Sequence, residues 1–146
     1  MRESLDFVVK RPLEDVFRAL TDLEMMTRFA QAPDAPVKMK VEPVPDRPRS
    51  GLGSALRVSV DGAGQSLLME TTEWDPPRRC VRRLASPDLE VVVTFDFEET
   101  PAGTRVAAGL VMEAKSLLMK MALPLLAKRI ASEKAAFAEQ LKDRLA

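Results

Sequence analysis

The chain has no histidine, no tyrosine and only one cysteine, Cys80. Without histidine there is no Ser-His-Asp or Cys-His catalysis, no common zinc site and no imidazole acid–base chemistry near neutral pH. A lone cysteine cannot close an internal disulfide, which fits a reducing compartment. Charge of one sign is lacking as well, since 22 Lys and Arg balance 22 Asp and Glu. Phosphate binding normally needs a basic face, so no nucleic-acid partner is expected. No apolar run reaches the ~20 residues that span a bilayer. The longest, Leu117 to Ala127, is interrupted by Lys120 and contains Pro124. The opening Met1-Arg2-Glu3-Ser4-Leu5-Asp6 puts charges where a secretory signal needs an apolar core. The expectation is a cytoplasmic protein with no transmembrane segment. Its 146 residues suit one domain over 1–146. A chain of this length buries roughly two-thirds of its unfolded surface, so it needs neither disulfides nor a structural metal.

What is present is periodic. Leu5 to Val9 alternates and reads as a strand. Pro12 suits the start of a helix, and Val16, Phe17, Leu20 and Leu23 follow at three- and four-residue spacing. Thr21 or Asp22 can cap a second short helix running toward Phe29. Val37, Met39 and Val41 alternate with charged residues, as in a half-exposed strand, and Pro43 to Gly53 reads as a loop. Leu56 to Val60 and Leu67 to Trp74 flank Asp61-Gly62-Ala63-Gly64, a hairpin signal. Arg79 to Leu84, Leu89 to Glu98 and Thr104 to Glu113 complete five or six consecutive antiparallel strands, joined through Ser86-Pro87-Asp88 and Thr100-Pro101-Ala102-Gly103.

From Ser116 the period becomes helical, with Leu126, Ile130, Phe137, Leu141 and Leu145 on one face. Phe137 is expected to be buried against the sheet. Pro124 should kink this helix or begin its main part. Segment 114–146 holds seven basic and three acidic residues. Such a face is ordinarily solvated and matches the helix dipole; weak contact with a membrane surface or an acidic protein is the alternative. A curved sheet must have one face covered, and only this helix is long and apolar enough to cover it.

Several segments together resemble a known superfamily. These are Phe7-Val8-Val9-Lys10-Arg11-Pro12-Leu13-Glu14-Asp15-Val16-Phe17-Arg18-Ala19-Leu20-Thr21-Asp22-Leu23, then Thr71-Thr72-Glu73-Trp74-Asp75-Pro76-Pro77-Arg78-Arg79, then Val92-Val93-Thr94-Phe95 and Gly103-Thr104-Arg105-Val106. In order and spacing they resemble the START-like, or SRPBCC, superfamily, which includes the polyketide cyclase/dehydrase-type domains. The resemblance covers nearly the whole chain. It implies an α+β helix-grip fold: a curved antiparallel β-sheet wrapped around a long C-terminal helix, with two short helices after the first strand and an internal cavity. Family functions range over lipid and sterol carriage, aromatic polyketide cyclisation, hormone sensing and chaperone assistance, so fold alone does not choose among them. Family members that bind metal clusters do so through Cys/His pairs, which this chain lacks.

Alternation proposes the cavity lining. Val91, Val93, Phe95 and Phe97 share one strand face, as do Val106, Ala108, Leu110 and Met112. Such stripes usually just pack a core; the resemblance favours an apolar pocket lined by Phe29, Leu56, Val58, Met69, Val91, Val93, Phe95, Ala108, Leu110, Met112, Met121, Leu126 and Ile130. Methionines among them would adapt to varied ligands. Arg82 alternates with Cys80 and Leu84. It either points inward, where it could hold a carboxylate or stabilise an enolate, or is a solvated strand charge; solvent is the expectation. Glu70 and Glu73 are the other candidate polar cavity groups and the natural partners of an inward Arg82. The inward face of strand 67–74 stays open, because Leu67 and Met69 compete with Leu68 and Trp74. Trp74 reads as a packing residue, Cys80 as an inert, partly buried thiol, and Gly51-Leu52-Gly53 has no phosphate-loop spacing.

The leading expectation is a protein that binds or transports a hydrophobic or amphipathic small molecule, lipid-like or polyketide-like, with no cofactor and no metal. Two alternatives stand beside it. One is an aromatase/cyclase-type enzyme acting on a polyketide; the other is a co-chaperone-like interaction module.

Overall fold

The computed structural model describes residues 1–23, 27–28, 39–60 and 66–145, except the side chains of Met39, Val60, Phe137, Gln140, Leu141 and Arg144. In chain order the elements are β1 (Arg2–Val9), α1 (Leu13–Thr21), β2 (Met39–Pro43), β3 (Ala55–Val60), β4 (Ser66–Asp75), β5 (Arg79–Ala85), β6 (Leu89–Thr100), β7 (Gly103–Ala114) and α2 (Leu117–Leu145). The strands form one open antiparallel sheet in the order β1-β7-β6-β5-β4-β3-β2. Strands β2 to β7 each pair with their neighbour in sequence, and β1 closes against β7, pairing Phe7 with Val106 and Val9 with Thr104. Pro43 is tolerated because β2 is an edge strand.

Helix α1 forms where expected. Pro12 stands one residue earlier than the sequence suggested, as the extended residue before the first turn (φ −60°, ψ 150°), and Val16 N–H bonds its carbonyl at 3.1 Å. Glu14 and Asp15 in the first turn and Arg18 in the last complement the helix dipole. Leu13, Val16, Phe17 and Leu20 are buried against Phe7, Val9, Phe97 and Val106. The second short helix expected toward Phe29, and the hairpin turn at Asp61 to Gly64, lie largely outside the described residues.

Helix α2 begins just after Ser116, whose Oγ accepts the Met119 N–H at 3.1 Å in the usual capping geometry. It runs without a break through Pro124 to Leu145. Met119, Leu123, Leu126 and Ile130 pack toward Leu89, Val91 and Met112, while Ala138 and Leu145 reach the cluster around α1. Lys134 pairs with Glu3 of β1 at 3.3 Å. The expected burial of Phe137 falls on a side chain outside the described set.

At the β6–β7 hairpin, Gly103 has φ +135°, and a Cβ there would stand 2.1 Å from the Val9 carbonyl oxygen. Only glycine lets the hairpin approach the end of β1 so closely. Beside it Thr104 is fully buried, and its hydroxyl donates to the Arg11 carbonyl at 2.8 Å.

Candidate functional site

The register shows which side chains share the sheet face that α2 covers. One row across that face runs Trp74, Cys80, Phe95, Ala108 and Leu5; the next runs Thr71, Arg82, Val93, Leu110 and Glu3; a third runs Met69, Leu84, Val91 and Met112. The strand whose inward face alternation left open is explained by a β-bulge. The β4–β5 register shifts between Thr71 and Glu73, so Leu67, Met69 and Thr71 face inward before the extra residue and Trp74 after it. Leu67 and Met69 from one of the two competing sets and Trp74 from the other therefore share the inner face.

Arg82 corrects the sequence expectation. It lies in the middle row and is 2% exposed, not solvated. Its Nη2 donates to the Thr21 carbonyl at 2.5 Å and its Nε to the Thr71 hydroxyl at 3.3 Å. Thr71 Oγ1 in turn lies 2.8 Å from Ser54 Oγ, and the Ser54 hydroxyl also reaches the Gly51 carbonyl at 2.7 Å. Burial pushes the Arg82 pKa down, opposed by the electrostatic pull of Cys80 and Asp22. Burial also raises the pKa of the Cys80 thiol, which is wholly buried and so less reactive.

The carboxylates expected to partner an inward Arg82 do not. Glu70 follows Met69 by one residue and so faces the other side, where it bonds Arg47 at 2.9 Å. Glu73 pairs with Arg79 at 2.9 Å, and Arg79 also holds Asp96. Alternation puts both acids on the outer face, alongside ion pairs such as Arg105–Asp6 and Arg83–Glu90. Within the three rows above the one carboxylate is Glu3, tied to Lys134. The Thr21 carbonyl and the Thr71 hydroxyl that accept from Arg82, and the Ser54 hydroxyl that supports Thr71, escaped sequence reasoning. A threonine in a strand signals nothing until the register places it opposite an arginine.

The expected lining residues divide. Leu56, Val58, Met69, Val91 and Met112 are buried in clusters on the inner face. Val93, Phe95, Ala108, Leu110, Leu126 and Ile130 are half-buried. Met121 is a correction: it is 72% exposed on the outer side of α2. It stands two residues, about 200° of helical rotation, from the sheet-facing Met119. Phe29 lies outside the described residues. Trp74 packs edge-on to Phe17 at 5.1 Å between ring centroids, and Phe17 packs likewise on Phe97.

The described core is three clusters around this face. The first joins α1 to the ends of β1, β5, β6 and β7; the second spans β2 to β4 with Leu23; the third joins α2 to β6 and β7. Phe95 packs against the first cluster, Val93 and Leu110 against the third, and Leu84 against both the second and the third. Among the described residues no three of Cys, Asp and Glu gather where a metal could be held, and no helix is long and apolar enough to cross a membrane.

An open seven-stranded antiparallel sheet with a long C-terminal helix across one face defines an α+β protein of helix-grip type. The chain belongs to the polyketide cyclase / dehydrase and lipid transport family, whose model matches residues 4–146. Solved structures share the fold at low identity. A Thermus thermophilus protein is 23% identical with a TM-score of 0.71, covering 99% of this chain and 97% of its own. A protein from Rhizobium leguminosarum is 17% identical with a TM-score of 0.66, covering 99% and 93%. Norcoclaurine synthase from Thalictrum flavum, in complex with dopamine and hydroxybenzaldehyde, is 11% identical with a TM-score of 0.69, covering 99% and 86%. No curated protein matches the sequence.

Proposed function

We propose that the protein, acting as one domain, binds a hydrophobic or amphipathic small molecule between the inner sheet face and α2. The observation that carries this reading is the incomplete burial at the middle of the inner sheet face among the described residues. Val93, Phe95 and Leu110 sit on central strands and pack against the first and third clusters, yet they stay half-buried. Apolar side chains at the middle of a covered face and still accessible suit an apolar ligand, and the family description includes lipid transport. With Arg82 engaged by Thr21 and Thr71, selection rests on shape and apolar contact more than on a charge clamp.

Native mass spectrometry of the protein purified from its own host tests the reading. The expected result is a retained apolar compound, released intact on denaturation. Val93→Trp fills the proposed space and should abolish retention while the protein stays folded. An empty wild-type protein that also fails to bind added fatty acid would overturn the proposal, as would undiminished binding by the Val93→Trp variant.

A further inference from the structure

The first half of α2 is apolar on two opposite sides. Met119, Leu123, Leu126 and Ile130 turn toward the sheet. Leu117, Leu118, Met121 and Leu125 turn away and are 72% to 79% exposed. A surface helix ordinarily carries one apolar stripe, facing the core. Single exposed leucines are common, but a contiguous group marks a contact surface. At 100° per residue these four side chains fall within about 100° of arc, and their span along the axis is about 12 Å.

Charge decides what meets this surface. From Lys115 to Ser132 the sequence has four cations and no carboxylate. Lys115 is held by Glu90 and Arg129 by Glu133. Lys120 and Lys128, which flank the stripe, make no ion pair among the described residues. A second copy of the chain packed on the stripe about a two-fold axis would set these lysines against their own counterparts, and like charges in register repel. An anionic lipid surface answers both parts of the pattern: it takes apolar side chains at the acyl boundary and draws flanking lysines to its phosphates.

We propose that this outward face of α2 docks the protein on anionic membranes, with Leu117, Leu118, Met121 and Leu125 entering the acyl boundary and Lys120 and Lys128 meeting the headgroups. The docking goes beyond the ligand reading above and does not depend on it.

The test is flotation of the full chain with vesicles of phosphatidylcholine alone and of equal parts phosphatidylcholine and phosphatidylglycerol. The protein should float with the mixed vesicles, less so as salt rises. Lys120→Gln with Lys128→Gln should weaken partitioning about thirtyfold, from ~1 kcal/mol per lysine and a factor of ten per ~1.4 kcal/mol. Leu118→Gln with Leu125→Gln should weaken it at least about tenfold. All four side chains are on the surface, so circular dichroism and denaturant midpoints should be unchanged. The proposal is overturned by failure to float with mixed vesicles, by equal binding to neutral ones, or by indifference to both double variants. Self-association in sedimentation velocity that the leucine variant abolishes, without vesicle binding, would make the stripe a dimer face instead.

Discussion

Arg82 in the middle of β5 donates a hydrogen bond to the carbonyl oxygen of Thr21, 61 residues earlier, at 2.5 Å. The bond ties the centre of the sheet to the last turn of α1, where unpaired carbonyls and the negative end of the helix dipole favour a cation. It also places a fixed charge beside Val93 without offering that charge to a ligand.

Arg82→Met should therefore cost stability. The substitution leaves the Thr21 carbonyl buried without the Arg82 donor, at ~1–3 kcal/mol for an unsatisfied group, and removes one of the two bonds of the Thr71 hydroxyl, which keeps Ser54. We expect a total loss of about 2–4 kcal/mol, read from urea midpoints. Arg82→Lys should recover little, since a lysine cannot reproduce the guanidinium fork. A change within about 0.5 kcal/mol would be that of a surface charge and would reject the clamp.

The same engagement predicts indifference to a ligand's charged end. The wild-type protein should bind a fatty acid and its methyl ester with affinities within a few-fold of one another. A charge-assisted hydrogen bond from Arg82 to the carboxylate would instead favour the acid by about 1.5–3 kcal/mol, a tenfold or greater preference. Isothermal titration with the two compounds separates the cases.

Gly103 should resist replacement. Gly103→Ala places a methyl group against the Val9 carbonyl in a backbone conformation that side chains avoid. The expected cost is about 2–4 kcal/mol, since strain of this kind alone costs ~1–3. Gly53, also at positive φ but with nothing closer than 4.0 Å, provides the comparison, and Gly53→Ala should cost less. Equal losses at the two positions would deny any special role to the approach of β1.

Acid should weaken the outer face at Glu90. Hydrogen bonds from Arg83 and Lys115 hold its carboxyl at about 2, against an ordinary 4.5. A depressed folded-state pKa adds stability that is full above the unfolded value and fades as pH falls from ~4.5 toward ~2. The gap in urea midpoint between wild type and Glu90→Gln should be present at neutral pH and shrink through that window. A gap that stays constant down to the acid end would show that the carboxylate's ionisation is not linked to folding.

The sequence by itself determined the local elements, because periodicity is a property of neighbours. Alternation through Val91 to Phe97 and Val106 to Met112 marked two strand faces, and the register keeps each set together on the covered side. Val16, Phe17 and Leu20 declared α1 by their spacing, and all three are buried. Hairpins between consecutive strands were legible for the same reason, since their partners are close in the chain. Tertiary structure alone decided what depends on distant pairing. The closure of β1 on β7 joins the first strand to the last. The bulge at β4 turns Trp74 inward through one extra residue, which alternation cannot foresee. Met121 shares its apolar character with Met119, and only the direction of the sheet chose which of the two to cover. Arg82 shows the limit most plainly. A charged residue on a strand is ordinarily solvated, because leaving water is costly; here Thr21, far away in sequence, and Thr71, opposite across the β4–β5 hairpin, supply hydrogen bonds that offset the loss of water.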